Sequence, residues 1–146
     1  MSPPGRKGRR SARRAALLAL YQADLTGADA AELLRDAATE EGTEPDGYAA
    51  DLVSGATAAM PELDAVIGAA AQDWSVERLA ALDRAILRLA AFELLHRRDV
   101  PVGAAIDEAV EAAKELSTDE SGRFVNGVLG RIARGAERNA KPELDA

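Results

Sequence analysis

Six cationic side chains crowd the front of this chain. Arg6, Lys7, Arg9, Arg10, Arg13 and Arg14 all fall within the first fourteen residues, with no acid among them. Guanidinium groups make forked hydrogen bonds to phosphate and stack on the exposed bases of single-stranded RNA. At helical pitch, positions 9, 10, 13 and 14 lie mostly on one side of the helix. The rest of the chain carries 12 basic and 25 acidic residues. A basic arm on an acidic body points to a polyanionic partner. Six cations at most would give RNA binding a log–log salt slope of roughly −4 on a single strand. Two other readings stand beside this one. The arm is a solvated cationic tail, or it is an export signal, since Ser11-Ala12-Arg13-Arg14 precedes an apolar run. Export is the weakest of the three, because that run is short, contains Tyr21 and Gln22, and closes at Asp24.

Other chemistry is thin. The chain has no cysteine and one histidine, His96, so disulfides, thiolate catalysis, zinc–thiolate sites and histidine metal clusters are excluded. His96 sits with Arg97 and Arg98 at the end of an apolar run, without a visible orienting acceptor or nucleophile. Asp107, Glu108, Glu111 and Glu115 read as the solvated face of a helix. No catalytic residue, metal or cofactor is expected, and the chain does not read as an enzyme. Aromatics number only five. Tyr21 lies on the basic helix and Phe124 follows Arg123; each suits either base stacking or the core.

The elements that must position these residues are helices. With 146 residues, 47% of them hydrophobic, the chain is long enough for one domain or for two small subdomains sharing a core. Residues 1–8 are Pro- and Gly-rich and read as a flexible basic tail. A first helix runs from Arg9 to Gly27, with Leu18, Tyr21 and Leu25 on one face. Asp29 and Glu32 form a capping-box pattern that opens a second helix. A loop follows over residues 40–47, and a third helix starts near Asp46 with Tyr48, Leu52 and Val53. Pro61 predicts a kink or break near Met60, after which Leu63, Val66 and Ile67 resume the period. Ser75 is the next candidate cap, and Trp74-Ser75 the joint between subdomains 9–74 and 75–138. The stretch 82–95, LDRAILRLAAFELL, is apolar on most sides and predicts a central helix. Another helix spans Val102 to Leu116. Ser117 with Glu120 repeats the capping box and opens the last helix, through Phe124, Val125, Val128, Leu129 and Ile132. A polar tail covers 139–146. No segment alternates with period two, so no strands are expected. Gly127 and Gly130 suggest a close helix approach, with the first helix as partner, which would bring Phe124 to the arginines.

Four segments, RRSARRAALLALYQAD, AALDRAILRLAAFELLHRRDVP, VGAAIDEAVEAAKELSTDES and RFVNGVLGRIA, resemble the NusB family of transcription antitermination factors in order and spacing, over about residues 9–135. The resemblance implies an all-α fold of two small packed helical bundles, with about seven helices. It implies binding of boxA RNA in ribosomal RNA leader transcripts, together with the ribosomal protein NusE, and entry into the elongating RNA polymerase complex. Such a protein is cytoplasmic. Carried onto this chain, RNA contacts fall on the basic residues of the arm (Arg6, Lys7, Arg9, Arg10, Arg13, Arg14), on Tyr21, and on Glu120, Arg123 and Phe124. NusE contacts fall on Glu77, Asp83 and Arg84. Ser11 interrupts a run that is often continuously basic in relatives, and Pro61 sits where relatives often keep a helix unbroken. Two further readings remain: a self-associating helical module, since relatives form monomers or homodimers, and an accessory domain of a ribosomal RNA methyltransferase. The second needs a catalytic domain with cysteines, which this sequence lacks.

Overall fold

The computed structural model describes the backbone of residues 6–72 and 74–144, and the side chains of 9–72 and 74–136. The expected flexible tail therefore lies partly outside the described residues, as do the side chains of Arg6 and Lys7. Seven α-helices and no strand are present among the described residues: α1 (Arg6–Thr26), α2 (Ala30–Glu40), α3 (Gly47–Ala58), α4 (Met60–Ala71), α5 (Ala81–His96), α6 (Val102–Leu116) and α7 (Asp119–Leu144). A single 3-10 turn, Val76–Arg78, links α4 to α5. No helix among the described residues is long and apolar enough to cross a membrane.

Helix α5 is the hub, packing against α1, α3, α4, α6 and α7. Its apolar sequence explains this, for Ala85, Ile86, Leu87, Leu89, Ala90, Ala91 and Phe92 are all buried. Helix α1 closes one side with α2 and α3, and α7 closes the other with α4 and α6. At Gly55 the fit of α3 on α5 is tight: a Cβ there would lie 2.1 Å from Phe92 Cζ.

The turn chemistry mostly follows the residues. Asp46 caps α3 by accepting from the backbone N–H of Tyr48 (2.8 Å) and Ala49 (3.3 Å). Gly27 ends α1 at φ +77°, a left-handed conformation that glycine adopts without a Cβ penalty. The Pro61 break occurs as expected, with Ala59 between α3 and α4 and the proline in the first turn of α4, where its missing N–H costs nothing.

Several expectations need correction. Asp29 flanks α2 but its side chain makes no cap hydrogen bond. The cap of α7 is Thr118 rather than Ser117, its Oγ1 accepting from the Ser121 N–H at 3.0 Å. Helix α1 starts at Arg6, inside the expected tail, and α7 runs to Leu144, through most of the expected polar tail. The buried face of α1 is Ala12, Ala16, Leu17, Ala19 and Leu20, whereas Leu18 and Leu25 stand exposed and Tyr21 is half-buried. Alanines let α1 approach α3 and α5 closely, so the larger leucine spacing did not mark the core side. Gly127 and Gly130 face only the guanidinium groups of Arg131 and Arg134 on their own helix. Helix α7 packs on α4, α5 and α6, and the expected docking of α1 at those glycines does not occur.

Candidate nucleic-acid interface

The arginines of α1 meet carboxylates, and they do so in two layers. The inner layer is built around Tyr48 of α3 and Glu93 of α5. The Arg13 Nε–H is shared between both Glu93 oxygens at 2.9 Å each, and the Tyr48 hydroxyl donates to Glu93 Oε2. Arg13 is 8% exposed and Glu93 2%. Burial alone would lower the Arg13 pKa, but the hydrogen bond and charge of Glu93 outweigh it, and the net shift is upward. Burial, then the bond to Glu93, pushes the Tyr48 hydroxyl up to about 12. Both groups keep their ordinary neutral-pH charge. The guanidinium groups of Arg9 and Arg97 lie over the Tyr48 ring, 4.5 and 4.7 Å from its centroid. Asp99 ties these two arginines together, with Oδ2 2.9 Å from Arg9 and Oδ1 3.0 Å from Arg97. Hydrogen bonds from Arg97, ahead of those from Arg9, hold the Asp99 carboxyl well below the usual carboxylate range.

The outer layer runs along α6. Arg10 reaches Glu111 at 2.7 Å, Glu115 at 3.0 Å and Glu108 at 3.8 Å. Arg14 meets the other oxygen of Glu115 at 3.0 Å. The hydrogen bond and charge of Glu111 raise the Arg10 pKa. Arg10 remains 39% exposed, and its partners Glu111 and Glu115 remain open to solvent. The four acids of α6 are thus not one solvated face, because Glu108 is buried. Its carboxylate belongs to the contact between α1 and α6.

A second feature lies between the 3-10 turn and the starts of α5 and α7. Trp74, Arg78, Leu79, Asp83, Thr118, Glu120, Ser121 and Phe124 line a groove of about 290 Å³. Trp74 is 53% exposed, Phe124 is half-buried, and Glu120 and Arg123 are exposed. Asp83 forms part of the floor. It is 9% exposed, its Oδ2 accepts from Ser121 Oγ at 3.3 Å, and Oδ1 has no hydrogen-bond partner. Burial raises its pKa, with Ser121 opposing.

The residues expected from the sequence therefore fall into three groups. Arg10 and Arg14 line the α1–α6 edge and Arg9 lies over Tyr48 beside Asp99, while Asp83, Glu120 and Phe124 meet at the groove with Arg123 one residue from Phe124. Two arginines are used up inside the fold, at odds with the contacts expected of them. Arg13 is locked to Glu93, too buried to meet a phosphate. Arg84 binds Asp24 of α1 and the carbonyls of Val76 (3.2 Å) and Leu79 (3.0 Å), fixing the 3-10 turn. Glu77 is exposed beside that cluster. Sequence reading missed Trp74 and Arg78 in the groove, and missed Tyr48, Glu93, Asp99 and Glu111 as partners of the arm. The single tryptophan next to the expected joint, and the lone acid at the far end of the α5 apolar run, were the available signals.

Helices α1 to α7, with an arginine-bearing first helix and an aromatic-lined groove, define a small all-α bundle packed on both sides of α5. The NusB family model matches residues 10–134, and the chain belongs to the NusB family. It is 47% identical to the transcription antitermination protein NusB of Symbiobacterium thermophilum, over 87% of this chain and 90% of the relative. It is 50% identical to that of Saccharopolyspora erythraea, over 86% of each. Among solved structures, T. maritima NusB superposes with a TM-score of 0.80 at 36% identity, covering 92% of this chain and 93% of the other. A NusB solved with the antitermination factor NusE and double-stranded RNA gives a TM-score of 0.79 at 31% identity, covering 87% and 96%.

Proposed function

We propose that this chain is a cytoplasmic RNA-binding antitermination factor that binds boxA RNA of ribosomal RNA leader transcripts together with NusE. In this reading the complex joins the elongating RNA polymerase. The observation that carries it is the likeness, over 87% of this chain, to a NusB solved with both NusE and RNA. The geometry supplies the mechanism. Arg9, Arg10 and Arg14, with Arg6 and Lys7 ahead of them, supply phosphate contacts and most of the affinity. Trp74 and Phe124 offer faces for unpaired bases, and Arg78 and Arg123 add cations beside them. Glu120 at the groove rim accepts from base amino groups. NusE extends the RNA track, raising affinity through effective concentration; Glu77 and Asp83 remain its proposed contacts, with Arg84 holding their turn in place.

With Arg13 internal, five cations of the arm remain, and the arm's share of the salt slope falls to roughly −3.5. Titrating labelled boxA RNA at two salt concentrations, with and without NusE, tests the reading. Salt-sensitive binding that tightens with NusE is expected; binding indifferent to both would refute it.

A second reading rests on the outer face of α1. Leu18, 54% exposed, borders a groove of about 480 Å³ between α1 and α2, which suits a homodimer. Light scattering with and without RNA tests it, and a monomer at all concentrations rules it out.

A further inference from the structure

Arg10 and Arg14 stand four residues apart on α1, and Glu108, Glu111 and Glu115 stand at i, i+3 and i+7 on α6. Both spacings keep the side chains on one helix face, so the two rows confront each other along the α1–α6 contact. Each cation thereby has carboxylate oxygens within 3.0 Å, the distance a phosphate oxygen would take. Glu115 is the shared element, with one oxygen on Arg10 and the other on Arg14.

We infer that Glu111 and Glu115 form an intramolecular mask, occupying the phosphate-binding guanidinium groups of Arg10 and Arg14 until RNA displaces them. The inference rests on the RNA-binding reading above and adds a competitor to it. Three features support displacement rather than a permanent lock. The pairs of Arg10 with Glu111 and Glu115 are solvent-exposed, where such pairs contribute little to stability, and half-buried Arg14 meets an exposed Glu115. Arg14 Nη2 is buried without a hydrogen-bond partner, so the guanidinium is incompletely satisfied by its carboxylate. The inner layer at Arg13, Glu93 and Tyr48 holds α1 in place without the outer pairs. Exchange then needs only side-chain rotation. Once displaced, the freed carboxylates lie beside the bound strand and repel it. The mask thus weakens every RNA that uses the arm. An RNA that gains nothing beyond the arm is held too weakly to persist, and one that also fills the groove at Trp74 and Phe124 is retained.

The test compares single charge removals on one helix. Glu115→Gln removes the carboxylate that both arginines share, freeing Arg14 from it and leaving Arg10 on Glu111 and the more distant Glu108; Asp107→Asn, on exposed α6 surface, removes the same charge without touching Arg10 or Arg14. Labelled boxA-type single-stranded RNA is titrated against the wild-type chain, each variant, and Glu115→Gln in an Arg10→Gln/Arg14→Gln background. Thermal melts of each protein confirm the fold. The inference predicts about fivefold tighter binding for Glu115→Gln, less than twofold for Asp107→Asn, and no gain from Glu115→Gln when both arginines are absent. Equal gains from the two single variants, or a gain that survives loss of the arginines, would overturn the mask while leaving RNA binding intact. Failure of the wild type and every variant to bind would refute the RNA reading and the mask together.

Discussion

Arg10 and Arg13 sit three residues apart on one helix, and each is held by glutamate, yet their settings differ in kind. Arg13 is sealed with Glu93 and the Tyr48 hydroxyl between three helices. Arg10 lies at an open edge, shared among three carboxylates of α6. Coulomb attraction between the same two groups is several-fold stronger at the first site than at the second, because solvent screens the second. The lesson is that residue type and spacing locate a basic helix, but burial decides which of its cations hold the fold and which remain for a ligand.

The largest effect should come from breaking the inner layer. Arg13→Ala leaves the Glu93 charge buried and unpaired, and is expected to cost about 3–5 kcal/mol in a denaturant melt. Replacing the whole cluster with Arg13→Met, Glu93→Leu and Tyr48→Phe removes the stranded charge, and should recover most of that loss. A triple variant no more stable than Arg13→Ala would mean that the cluster contributes a large net stability of its own.

Tyr48 gives the next largest effect. Its hydroxyl is raised from 10.0 to about 12 in the fold. A raised pKa stabilises fully below the unfolded value and loses that contribution as pH rises through the folded value. Stability should therefore fall by up to about 1.4 kcal/mol per pH unit between pH 10 and 12. Tyr48→Phe removes this titration, so its stability should follow a flatter course over that range. Parallel profiles for the two proteins would contradict the upward shift of Tyr48, which burial and then the bond to Glu93 produce.

The outer layer should respond weakly. Arg10→Gln is expected to shift stability far less than Arg13→Ala in the same melts, as exposed pairs do. A loss comparable to that of Arg13→Ala would erase the distinction between the layers.

Much of this arrangement was legible in the sequence. The apolar run of α5 marked the hub, Val102 and Leu116 bounded α6, Pro61 marked the α3–α4 break, and the start of α3 was placed near Asp46. These features depend on residues close together in the chain. What escaped was long-range. The partner of Arg13 lies 80 residues away and that of Arg10 about 100, and no local pattern says that Glu93 and Glu108 are buried whereas Glu111 is not. The core face of α1 also escaped, because close packing through Ala12, Ala16 and Ala19 left the leucines at 18 and 25 outside. The groove was half legible: Glu120 and Phe124 came from resemblance, but Trp74 and Arg78 join them only through the path of the 3-10 turn.

In the proposed complex the outer arginines of α1 touch RNA and Arg13 does not. The direct measurement is the salt dependence of RNA affinity for the wild type and for Arg10→Gln/Arg14→Gln, a variant expected to keep the fold. Loss of both cations should weaken binding at low salt by at least tenfold and make the log–log slope shallower by about 1.4, at roughly 0.7 per phosphate contact on a single strand. An unchanged slope and affinity would contradict the account.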